Sequence, residues 1–446
     1  MDKKYYIQTF GCQMNVHDSE QIAALLERDG YRSTDLAESA DLIILNTCSI
    51  REKAEQKVHS QIGRFRDFKR NNPDLLIGIG GCLAQQWGEK FFKKAPHLDL
   101  IFGTHCIPRL PELIEKAKRN GKQIADISCP EKHAESSVRL VPARGQISTY
   151  VTIMRGCNNF CAYCVVPYLR GPEQSRELPD IVREVRSLAA QGIKEVTLLG
   201  QNVNSYGQTT PGKSDFPHLL TEIAQIEGIN RIRFTTSHPK DLSPDLINCF
   251  SEIDKLCEHI HLPVQAGSDK VLQMMNRGYT KAGYLEKVDR LREICPDISI
   301  TSDVIVGFPG EAEADFEETI DLMRKIRFDN LFSFKYSARE GTAAAKFDHQ
   351  VSDSIKSARL RTLQLLQEQH TLEKNEAEVG KLLEVLVEGC SKNSPAELTG
   401  RTRTNKIVNF KGNTELIGQS LSILITYAYQ HSLRGELTSD KEMDRC

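Results

Sequence analysis

The chain has neither a long uninterrupted hydrophobic run nor a strong net charge. Its longest apolar candidate, residues 75–84, is interrupted by glycines and is far shorter than the roughly 18 residues that span a bilayer. The amino terminus begins a strand-like pattern directly, without the hydrophobic segment of a signal peptide. The formal charge of -2 excludes a general polycation, although it permits local basic patches. These absences predict a cytoplasmic protein with no membrane partner.

Length and cysteine content narrow the remaining classes. The 446 residues predict two or three domains, and 39% hydrophobic residues are enough for packed cores. Thirteen cysteines is a high and odd number for a reducing compartment, where a disulfide framework is not expected. Binding of a metal or a metal cluster therefore explains at least some of these thiols.

Three predicted strands near the amino terminus each end in a cysteine, namely Cys12, Cys48 and Cys82. The intervals of 36 and 34 residues match one βα unit, so we predict a doubly wound parallel α/β domain over residues 3–120. The carboxyl ends of parallel strands lie along one edge of a sheet, where three thiols can converge. We therefore predict an iron-sulfur site with one open iron. The alternatives are cysteines that merely close a strand as small hydrophobic residues, or a nucleotide site at residues 78–81, which lack the GxGxxG spacing.

A second group of three cysteines, Cys157, Cys161 and Cys164, lies on a short loop after the predicted strand of residues 150–154. Three thiolates do not complete a tetrahedral zinc site, and no His or Cys follows closely enough to supply a fourth ligand. A 4Fe-4S cluster held by three thiolates keeps one iron open to a small ligand. The CxxxCxxC spacing, with the aromatic Tyr163 before the last cysteine, resembles the radical S-adenosylmethionine (SAM) superfamily. The alternative is a zinc knuckle or a set of buried thiols.

The middle of the chain, residues 147–375, alternates helical patterns with short β-branched runs. This alternation predicts a parallel barrel, and six strands rather than eight predict an open partial (β/α)6 TIM-like barrel. Residues 121–146, with scattered charges and several Pro, Ser and Gly, are predicted to be a linker to the first domain. The strands are predicted near residues 149–154, 195–199, 231–235, 259–262, 299–306 and 331–336.

The segments after these strands are rich in Gly and in neutral hydrogen-bonding side chains, and they lack the Asp, His and Glu cluster of a hydrolytic metal site. Barrel chemistry takes place on loops at the carboxyl ends of the strands. The resemblance to radical SAM proteins implies that these loops bind SAM. Gly200, Gln201 and Asn202 stand where many relatives have a Gly-Gly-Glu segment that holds the amino end of SAM. The other residues implied in SAM binding are Tyr163, near the adenine, and Ser237, Gln265, Asp303 and Val306, lining the ligand.

The last segment, residues 376–440, contains five short strand-like runs separated by turns, which predicts a small OB-like β-barrel. Within it, residues 401–411 carry four cations, one aromatic side chain and no acid. That composition suits backbone contact and base stacking on single-stranded RNA, although an exposed basic hairpin is the alternative. The segment resembles the TRAM domain, an RNA-binding module of tRNA-modifying enzymes. The predicted RNA-binding residues are Arg401, Arg403, Lys406 and Phe410.

Together, two cysteine triplets and a TRAM-like tail resemble the methylthiotransferase family of radical SAM enzymes over nearly the whole chain. Residues 11–15 (GCQMN), 46–51 (NTCSIR) and 164–171 (CVVPYLRG) are most similar to members that act on tRNA. The resemblance implies two 4Fe-4S clusters and addition of a methylthio group to C2 of N6-dimethylallyladenosine at position 37 of tRNA. One SAM would methylate a sulfur carried on the first cluster, and a second SAM would give the 5'-deoxyadenosyl radical that removes the C2 hydrogen. The implied partners of this monomeric enzyme are the tRNA anticodon stem-loop and an electron donor such as flavodoxin or ferredoxin.

Two other functions fit parts of the sequence. Within the family, the substrate could be N6-threonylcarbamoyladenosine in tRNA or an aspartate of a ribosomal protein. Outside it, the chain could be a non-catalytic RNA-binding protein with structural zinc. Assays with defined tRNA and protein substrates distinguish the first alternative from the tRNA function. Measurement of iron and sulfide content distinguishes an iron-sulfur enzyme from a zinc protein.

Overall fold

The computed structural model describes residues 3–48, 52–129, 145–208, 214–392, 394 and 396–437. The chain forms two compact units. Most of the predicted linker, residues 130–144, lies outside the described residues. The first unit comprises Met1–Val141, Arg155–Asn158 and Val165–Gln174, and the second comprises Pro142–Met154, Asn159–Cys164 and Ser175–Cys446.

In its described residues, the first unit contains a six-stranded parallel sheet. The strands are β1 (Lys3–Thr9), β2 (Tyr31–Ser33), β3 (Leu42–Thr47), β4 (Leu76–Gly81), β5 (Leu100–Phe102) and β6 (Ile124–Asp126). Their order is β2-β1-β3-β4-β5-β6, and each neighbouring pair is parallel. The sequence predicted β1, β3 and β4 only, because the other strands have three residues each and are too short to show a period.

Both faces of this sheet are buried. Along β3, Ile43 and Leu45 pack into one hydrophobic core, whereas Leu42 and Ile44 pack into another. Burial on both faces is typical of a doubly wound fold, so the prediction for this domain is confirmed. The described helices of the unit are α1 (Gln13–Arg28), α2 (Glu52–Asn71), α3 (Cys82–Trp87), α4 (Lys90–Lys94), α5 (Leu110–Asn120) and α6 (Val166–Arg170).

Parallel strands also form the core of the second unit. They are β7 (Ser148–Thr152), β10 (Glu195–Leu199), β11 (Arg231–Thr235), β12 (His259–His261), β13 (Ser299–Val306) and β14 (Asn330–Lys335). Two-residue strands, β8 (Met154–Arg155) and β9 (Gln174–Ser175), lie where the chain passes between the units. The long strands form two parallel sheets, β7-β10-β11 and β12-β13-β14, and a bridge between Ile232 and Leu256 connects β11 to the segment before β12. Among the described residues, the predicted set of six strands is confirmed.

Helices pack on one face of these strands, and polar side chains occupy the other. Val196 and Leu198 of β10 lie in the main hydrophobic core. Strand alternation therefore directs Glu195 and Thr197 to the interior face, where Glu195 Oε2 is 3.0 Å from Arg233 Nε. The described helices are α7 (Leu178–Ala190), α8 (Phe216–Ala224), α9 (Pro244–Glu252), α10 (Asp269–Met274), α11 (Lys281–Ile294), α12 (Glu313–Ile326) and α13 (Asp353–Glu376). None of the described helices combines the length and apolarity needed to cross a bilayer.

The second unit ends in a closed β-barrel. Its described strands are β15 (Leu382–Cys390), β16 (Glu397–Thr402), β17 (Ile407–Lys411), β18 (Ser420–Ala428) and β19 (Leu433–Leu437), in the order β15-β16-β17-β19-β18. Alternate residues of the strands, such as Val385 and Val387, fill the barrel core. This architecture fits the predicted OB-like barrel.

Candidate metal-cluster sites

Cys12, Cys48 and Cys82 follow three strands that are neighbours in the first sheet. Strands β1, β3 and β4 are parallel and paired in that order, so their carboxyl ends lie at one edge. Cys48 comes directly after β3, Cys82 begins α3, and Cys12 caps the amino end of α1. The prediction that these strands are parallel, with their carboxyl ends at one edge, is thus confirmed. The hydrogen bonds and charges around the three thiols indicate whether they suit a metal cluster.

The Cys12 thiol lies in an environment that stabilises a thiolate. It is hydrogen-bonded to the Cys48 thiol, and two backbone N–H groups at the start of α1 donate to it. These contacts and the positive charge of Arg170 outweigh burial and lower the pKa of Cys12 to about 6. At Cys82, burial raises the pKa of the thiol, and Arg170 opposes this rise. Because metal clusters bind thiolates, the Cys12 environment fits a ligand.

Two asparagines hold the loops that carry Cys12 and Cys48. Asn15 Nδ2 donates to Asn46 Oδ1 at 3.1 Å and to the Thr47 carbonyl at 3.2 Å. In return, Asn46 Nδ2 donates to the Asn15 carbonyl at 2.8 Å. Asn15 Oδ1 accepts a hydrogen bond from the Cys12 N–H at 3.4 Å. Side chains of the GCQMN and NTCSIR motifs therefore fix the two strand ends to each other.

Arg170 lies at the end of α6, next to the thiols of the same unit. Its Nη2 is 3.1 Å from Asp18 Oδ2, and the two side chains are 5% and 1% exposed. The guanidinium is also hydrogen-bonded to the Cys82 thiol. Burial alone would lower the pKa of Arg170, but the neighbouring Cys82 and Asp18 raise it, so the charge is retained. A buried positive charge thus lies beside the predicted cluster ligands.

The second triplet is divided between the units, with Cys157 in the first and Cys161 and Cys164 in the second. Within the second unit, the loop is fixed on both sides of Ala162. The Ala162 N–H donates to the Met275 carbonyl at 2.9 Å, and the Ala162 carbonyl accepts from the Ala344 N–H at 2.8 Å. The loop is therefore held by backbone hydrogen bonds to two distant segments, a feature suited to presenting thiolates in a fixed direction.

A second buried arginine contacts this loop. Arg277 Nη1 donates to Cys161 Sγ and to Tyr163 Oη, both at 3.4 Å, and Nη2 donates to the Pro263 carbonyl at 2.8 Å. Arg277 Nε donates to Tyr279 Oη at 3.0 Å. Burial raises the pKa of Tyr163 well above its usual range, and the nearby arginine opposes this rise. Tyr163 therefore stays a neutral phenol beside Cys161.

Three buried polar atoms near the ends of β10 and β11 have no partner among the described residues. They are Asn202 Oδ1, Ser237 Oγ and His238 Nε2. Asn202 is oriented by its Nδ2, which donates to Asp241 Oδ2 at 2.7 Å. The preceding residue of the second loop, Thr236, has φ of +73°, an outlier for a β-branched residue. Because a buried polar atom without a partner is costly, these atoms fit a site that a polar ligand completes.

Three other predicted SAM contacts are placed in loops after strands. Gly200 follows β10, and a Cβ there would lie 2.5 Å from Met154 Cγ, so close packing alone requires glycine. Gln201 follows it and is partly buried. Gln265 is buried with φ of +73°, and its N–H donates to the Asp303 carbonyl at 2.8 Å. Contact of these residues with SAM stays a prediction.

The predicted pair on β13 is corrected by the structure. Asp303 and Val306 are three residues apart, so strand alternation places them on opposite faces. Asp303 faces the interior, where its Oδ1 is 3.5 Å from His261 Nε2. Val306 is fully buried in the core beneath the helices, which contradicts its predicted contact with the ligand.

The predicted RNA-binding residues of the small barrel lie in contacts within the second unit. Phe410 is 1% exposed in the barrel core, which contradicts its predicted role in base stacking. Lys406 is half-buried, and its Nζ donates to Asn375 Oδ1 at 2.7 Å. Arg401 Nε is 3.2 Å from Glu388 Oε1. These cations are therefore paired within the chain.

Arg403 and the hairpin between β16 and β17 connect the small barrel to the parallel strands. Arg403 Nε and Nη2 both contact the Glu258 carboxylate, at distances of 2.7–3.0 Å. From the other side, Arg233 Nη1 donates to the Arg403 carbonyl at 2.9 Å, and Arg231 Nη1 donates to the Arg401 carbonyl at 2.7 Å. The basic hairpin is therefore a docking element of the fold, and contact of Arg403 with RNA stays a prediction.

The substitution Arg403→Ala is expected to lower the free energy of unfolding of the full chain by about 2 kcal/mol, because it leaves the half-buried Glu258 without its partner. Denaturant unfolding measures this. The exposed Lys411 on the neighbouring strand is the control, and Lys411→Ala should change stability by no more than about 0.5 kcal/mol. Equal losses in the two variants would show that the hairpin does not depend on this contact.

Among the described residues, no group of three His, Cys, Asp or Glu side chains has the arrangement of a mononuclear metal site. A 4Fe-4S core binds each thiolate through a different iron, so this finding does not test the cluster predictions. The donor set around Cys12 is soft thiolate with a buried cation beside it, which suits an iron-sulfur core.

Three family models match successive parts of the chain. They are the uncharacterized protein family UPF0004 at residues 4–103, the Radical SAM superfamily at residues 151–323 and the TRAM domain at residues 376–438. The last two confirm the resemblances stated for the CxxxCxxC loop and for the carboxyl-terminal segment.

Curated relatives match the whole chain. The tRNA-2-methylthio-N(6)-dimethylallyladenosine synthase of Syntrophus aciditrophicus (strain SB) is 62% identical over 442 residues, which cover 99% of this chain and 96% of the relative. A protein of the same name from Geobacter sulfurreducens is 54% identical, with 99% and 98% covered. The chain belongs to this methylthiotransferase family. It is a radical SAM enzyme.

Solved structures show the same fold as this methylthiotransferase at low identity. The radical S-adenosylmethionine methyltransferase TsrM from Kitasatospora setae, solved with cobalamin and a [4Fe-4S] cluster, has a TM-score of 0.54 at 16% identity and covers 77% of each chain. The cobalamin-dependent S-adenosylmethionine radical enzyme OxsB has a TM-score of 0.52 at 12% identity, covering 82% of this chain and 56% of its own. At such identities the likeness shows the fold alone.

Several residues at the sites of the methylthiotransferase have no strong sequence signal. Asn15 and Asn46 lie inside motifs that pointed to the family, and their roles become clear only from the hydrogen bonds between them. Arg170 and Arg277 are single arginines far along the chain from the thiols they contact. His238 follows Ser237 in a loop directly after a predicted strand, and this position in the sequence is the signal that could have found it.

Proposed function

We propose that this methylthiotransferase adds a methylthio group to C2 of N6-dimethylallyladenosine at position 37 of tRNA. The observation that supports this most is a thiol after each of three adjacent parallel strands in a chain that also has a radical SAM loop. The printed names of the relatives support the substrate. An aromatic C–H bond has no acidity that a side-chain base could exploit, so the reaction requires no general base.

Two 4Fe-4S clusters are part of this proposal, with Cys12, Cys48 and Cys82 as ligands of one and Cys157, Cys161 and Cys164 as ligands of the other. When bound, such clusters would supply an iron that carries sulfur and the electron that cleaves SAM. The chain's own contribution is orientation and charge. Asn15 and Asn46 orient the first thiols, and a buried arginine compensates negative charge at each triplet.

SAM would bind on the loops at the strand ends. Asn202 Oδ1 and Ser237 Oγ would find there the hydrogen-bond partners that the described residues do not supply. Asp303 faces the interior, and Gln265 lies in the neighbouring loop; both are proposed to contact the ligand. Gly200 and Gln201 would lie along its amino end, and Tyr163 would pack on its adenine.

The tRNA anticodon stem-loop is the proposed partner, and the target base must leave its stack to be modified. The cations of the basic hairpin are paired within the chain, so we look for a further RNA contact on the TRAM-like barrel. Tyr427 and Tyr429 are 56% and 48% exposed, and their ring centroids are 4.8 Å apart. Two exposed rings side by side suit stacking on unpaired bases. A flavodoxin- or ferredoxin-type electron donor, a monomeric state and a cytoplasmic location complete the proposal.

The function is tested with anaerobically reconstituted protein, SAM, a one-electron reductant and three defined substrates. These are tRNA with N6-dimethylallyladenosine, tRNA with N6-threonylcarbamoyladenosine, and a ribosomal protein with its aspartate. Mass spectrometry of nucleosides and peptides should find the methylthio group on the first alone. Modification of the protein but of neither tRNA would overturn the proposal. About eight irons per chain are expected from two clusters, whereas a zinc protein would contain none.

Replacing Tyr427 and Tyr429 together with Ala should weaken tRNA binding about tenfold, because stacking on an aromatic ring contributes about 1–3 kcal/mol per base. Fluorescence anisotropy with labelled tRNA measures the affinity. The matched control replaces both with Phe, which keeps the rings and should keep most of the affinity. Unchanged binding by the Ala variant would move the RNA contact elsewhere.

A further inference from the structure

We propose that Arg170, held in place by Asp18, is a positioning residue that makes the cluster on Cys12, Cys48 and Cys82 easier to reduce. This inference rests on the proposed function, since it requires a cluster at that triplet. It assigns a role to a side chain that is not itself a proposed cluster ligand. All of the residues concerned belong to the first unit.

The geometry around Arg170 is that of a fixed contact. The guanidinium pairs with Asp18, at 3.1 Å from Nη2 to Oδ2, and it also lies against the Cys82 thiol. Val165, directly before α6, and Leu169, within α6, pack against Cys82 in a small hydrophobic cluster. Water is therefore excluded from the contact, and the arginine has little freedom to turn away.

Chain connectivity makes this placement notable. Arg170 follows Cys164 by six residues, so the segment that leaves the radical SAM loop is the one that contacts Cys82. Asp18 lies six residues after Cys12 on α1, the helix that Cys12 caps. Arg170 and Asp18 thus each come from a short segment that also carries a proposed cluster ligand.

A hydrogen bond from a cation to a ligand sulfur changes the energy of the two cluster charge states unequally. One-electron reduction adds a negative charge to the cluster, and a nearby positive charge stabilises that state more than the oxidised one. Ligand contacts of this kind are among the features that tune metal centres. Asp18 works in the opposite direction, because its negative charge offsets part of the positive charge of Arg170.

A purely structural role predicts something different. A buried ion pair can simply satisfy itself, and breaking it from either side then destabilises the protein in the same way. Under the proposal, the two halves of the pair have opposite effects on the cluster. Removing the positive charge of Arg170 should make reduction harder, and removing the negative charge of Asp18 should make it easier. The sign of the shift separates the two interpretations.

The test uses the full chain with Cys157, Cys161 and Cys164 all changed to Ala, so that one proposed cluster remains. Into this background we place Arg170→Gln, Arg170→Lys and Asp18→Asn. The readouts are iron content and a redox titration followed by electron paramagnetic resonance of the reduced cluster. Lys69→Gln is the control, since it removes a cation that pairs with Asp99 in the same unit, at the amino ends of the strands and away from the thiols, and it should leave this potential unchanged.

Arg170→Gln should lower the ratio of reduced to oxidised cluster about tenfold at a fixed solution potential, a shift of about 59 mV for one electron. Arg170→Lys, which keeps the charge, should shift it less, and Asp18→Asn should shift it the other way. Equal potentials in all variants, or shifts of the same sign for Arg170→Gln and Asp18→Asn, would overturn the inference. If Arg170→Gln loses its iron, the potentials of Arg170→Lys and Asp18→Asn test the inference instead, and they should still shift in opposite directions. Absence of iron from the parent background would overturn the proposed cluster itself, an outcome distinct from a bound cluster whose potential does not move.

Discussion

Cys161→Ala is expected to abolish cleavage of SAM, whereas Cys12→Ala is expected to preserve cleavage and abolish methylthio transfer to tRNA. The two thiols belong to different triplets and different units of the chain, so their loss should affect different steps. Cys161 is buried beside Arg277, and without its thiolate the radical SAM loop cannot hold a cluster that passes an electron to SAM. Cys12 has a thiol with a pKa lowered to about 6 and is a proposed ligand of the sulfur-carrying cluster.

Both activities are measured on the same anaerobic preparations. Production of 5'-deoxyadenosine reports cleavage, and nucleoside mass spectrometry reports transfer. Cys390→Ala is the control, since Cys390 is exposed at the end of β15 and lies on neither triplet, and it should leave both activities unchanged. Equal residual cleavage in Cys161→Ala and Cys12→Ala would contradict the division of labour between the triplets.

Much of the fold could be predicted because its signals are local. Cys12, Cys48 and Cys82 follow strands of six or seven residues whose apolar runs are visible in the sequence, and the spacing of one βα unit predicts that the strands are parallel and end at one edge. The short strands β2, β5 and β6 have no such signal, and they add to the sheet only through its tertiary hydrogen bonds.

Two wrong predictions could have been avoided by counting along the strand. Side chains alternate between faces, so Asp303 and Val306, an odd number of residues apart, cannot both face a ligand. In β17, Val408 and Phe410 share the buried face of the barrel, and the polar neighbour Asn409 lies on the other. A basic segment with one aromatic residue suggested RNA binding, but the period of two places that ring in the core.

Other contacts have no local sequence pattern and could not be predicted from the sequence. Arg170 and Asp18 are 152 positions apart, and nothing in either local pattern names the other. Arg231 and Arg233 donate to backbone carbonyls of the docking hairpin, and a carbonyl is present at every residue. Such contacts are determined by tertiary packing. Because the sequence does not show them, the cations of the hairpin were predicted to bind RNA.

Gly81→Ala is expected to remove about four of about eight irons and to abolish methylthio transfer while SAM cleavage continues. Gly81 is the last residue of β4, directly before Cys82. Its backbone φ of +90° is a conformation that residues other than glycine rarely adopt. A Cβ there would lie 2.6 Å from Asn46 Oδ1 and would also collide with the Thr47 carbonyl. Because that carbonyl is backbone, β3 and β4 would have to shift relative to each other, and Cys48 would move away from Cys82.

Gly63→Ala provides the control for this substitution. Gly63 is in α2 of the same unit, a Cβ there meets nothing within 4 Å, and alanine should stabilise the helix by up to about 1 kcal/mol. Thermal unfolding of both variants shows whether Gly81→Ala acts through the site or through loss of the whole sheet. A folded Gly81→Ala protein with its full iron content would mean that the ends of β3 and β4 tolerate displacement, and the tight packing at Gly81 would then not be needed to hold a cluster.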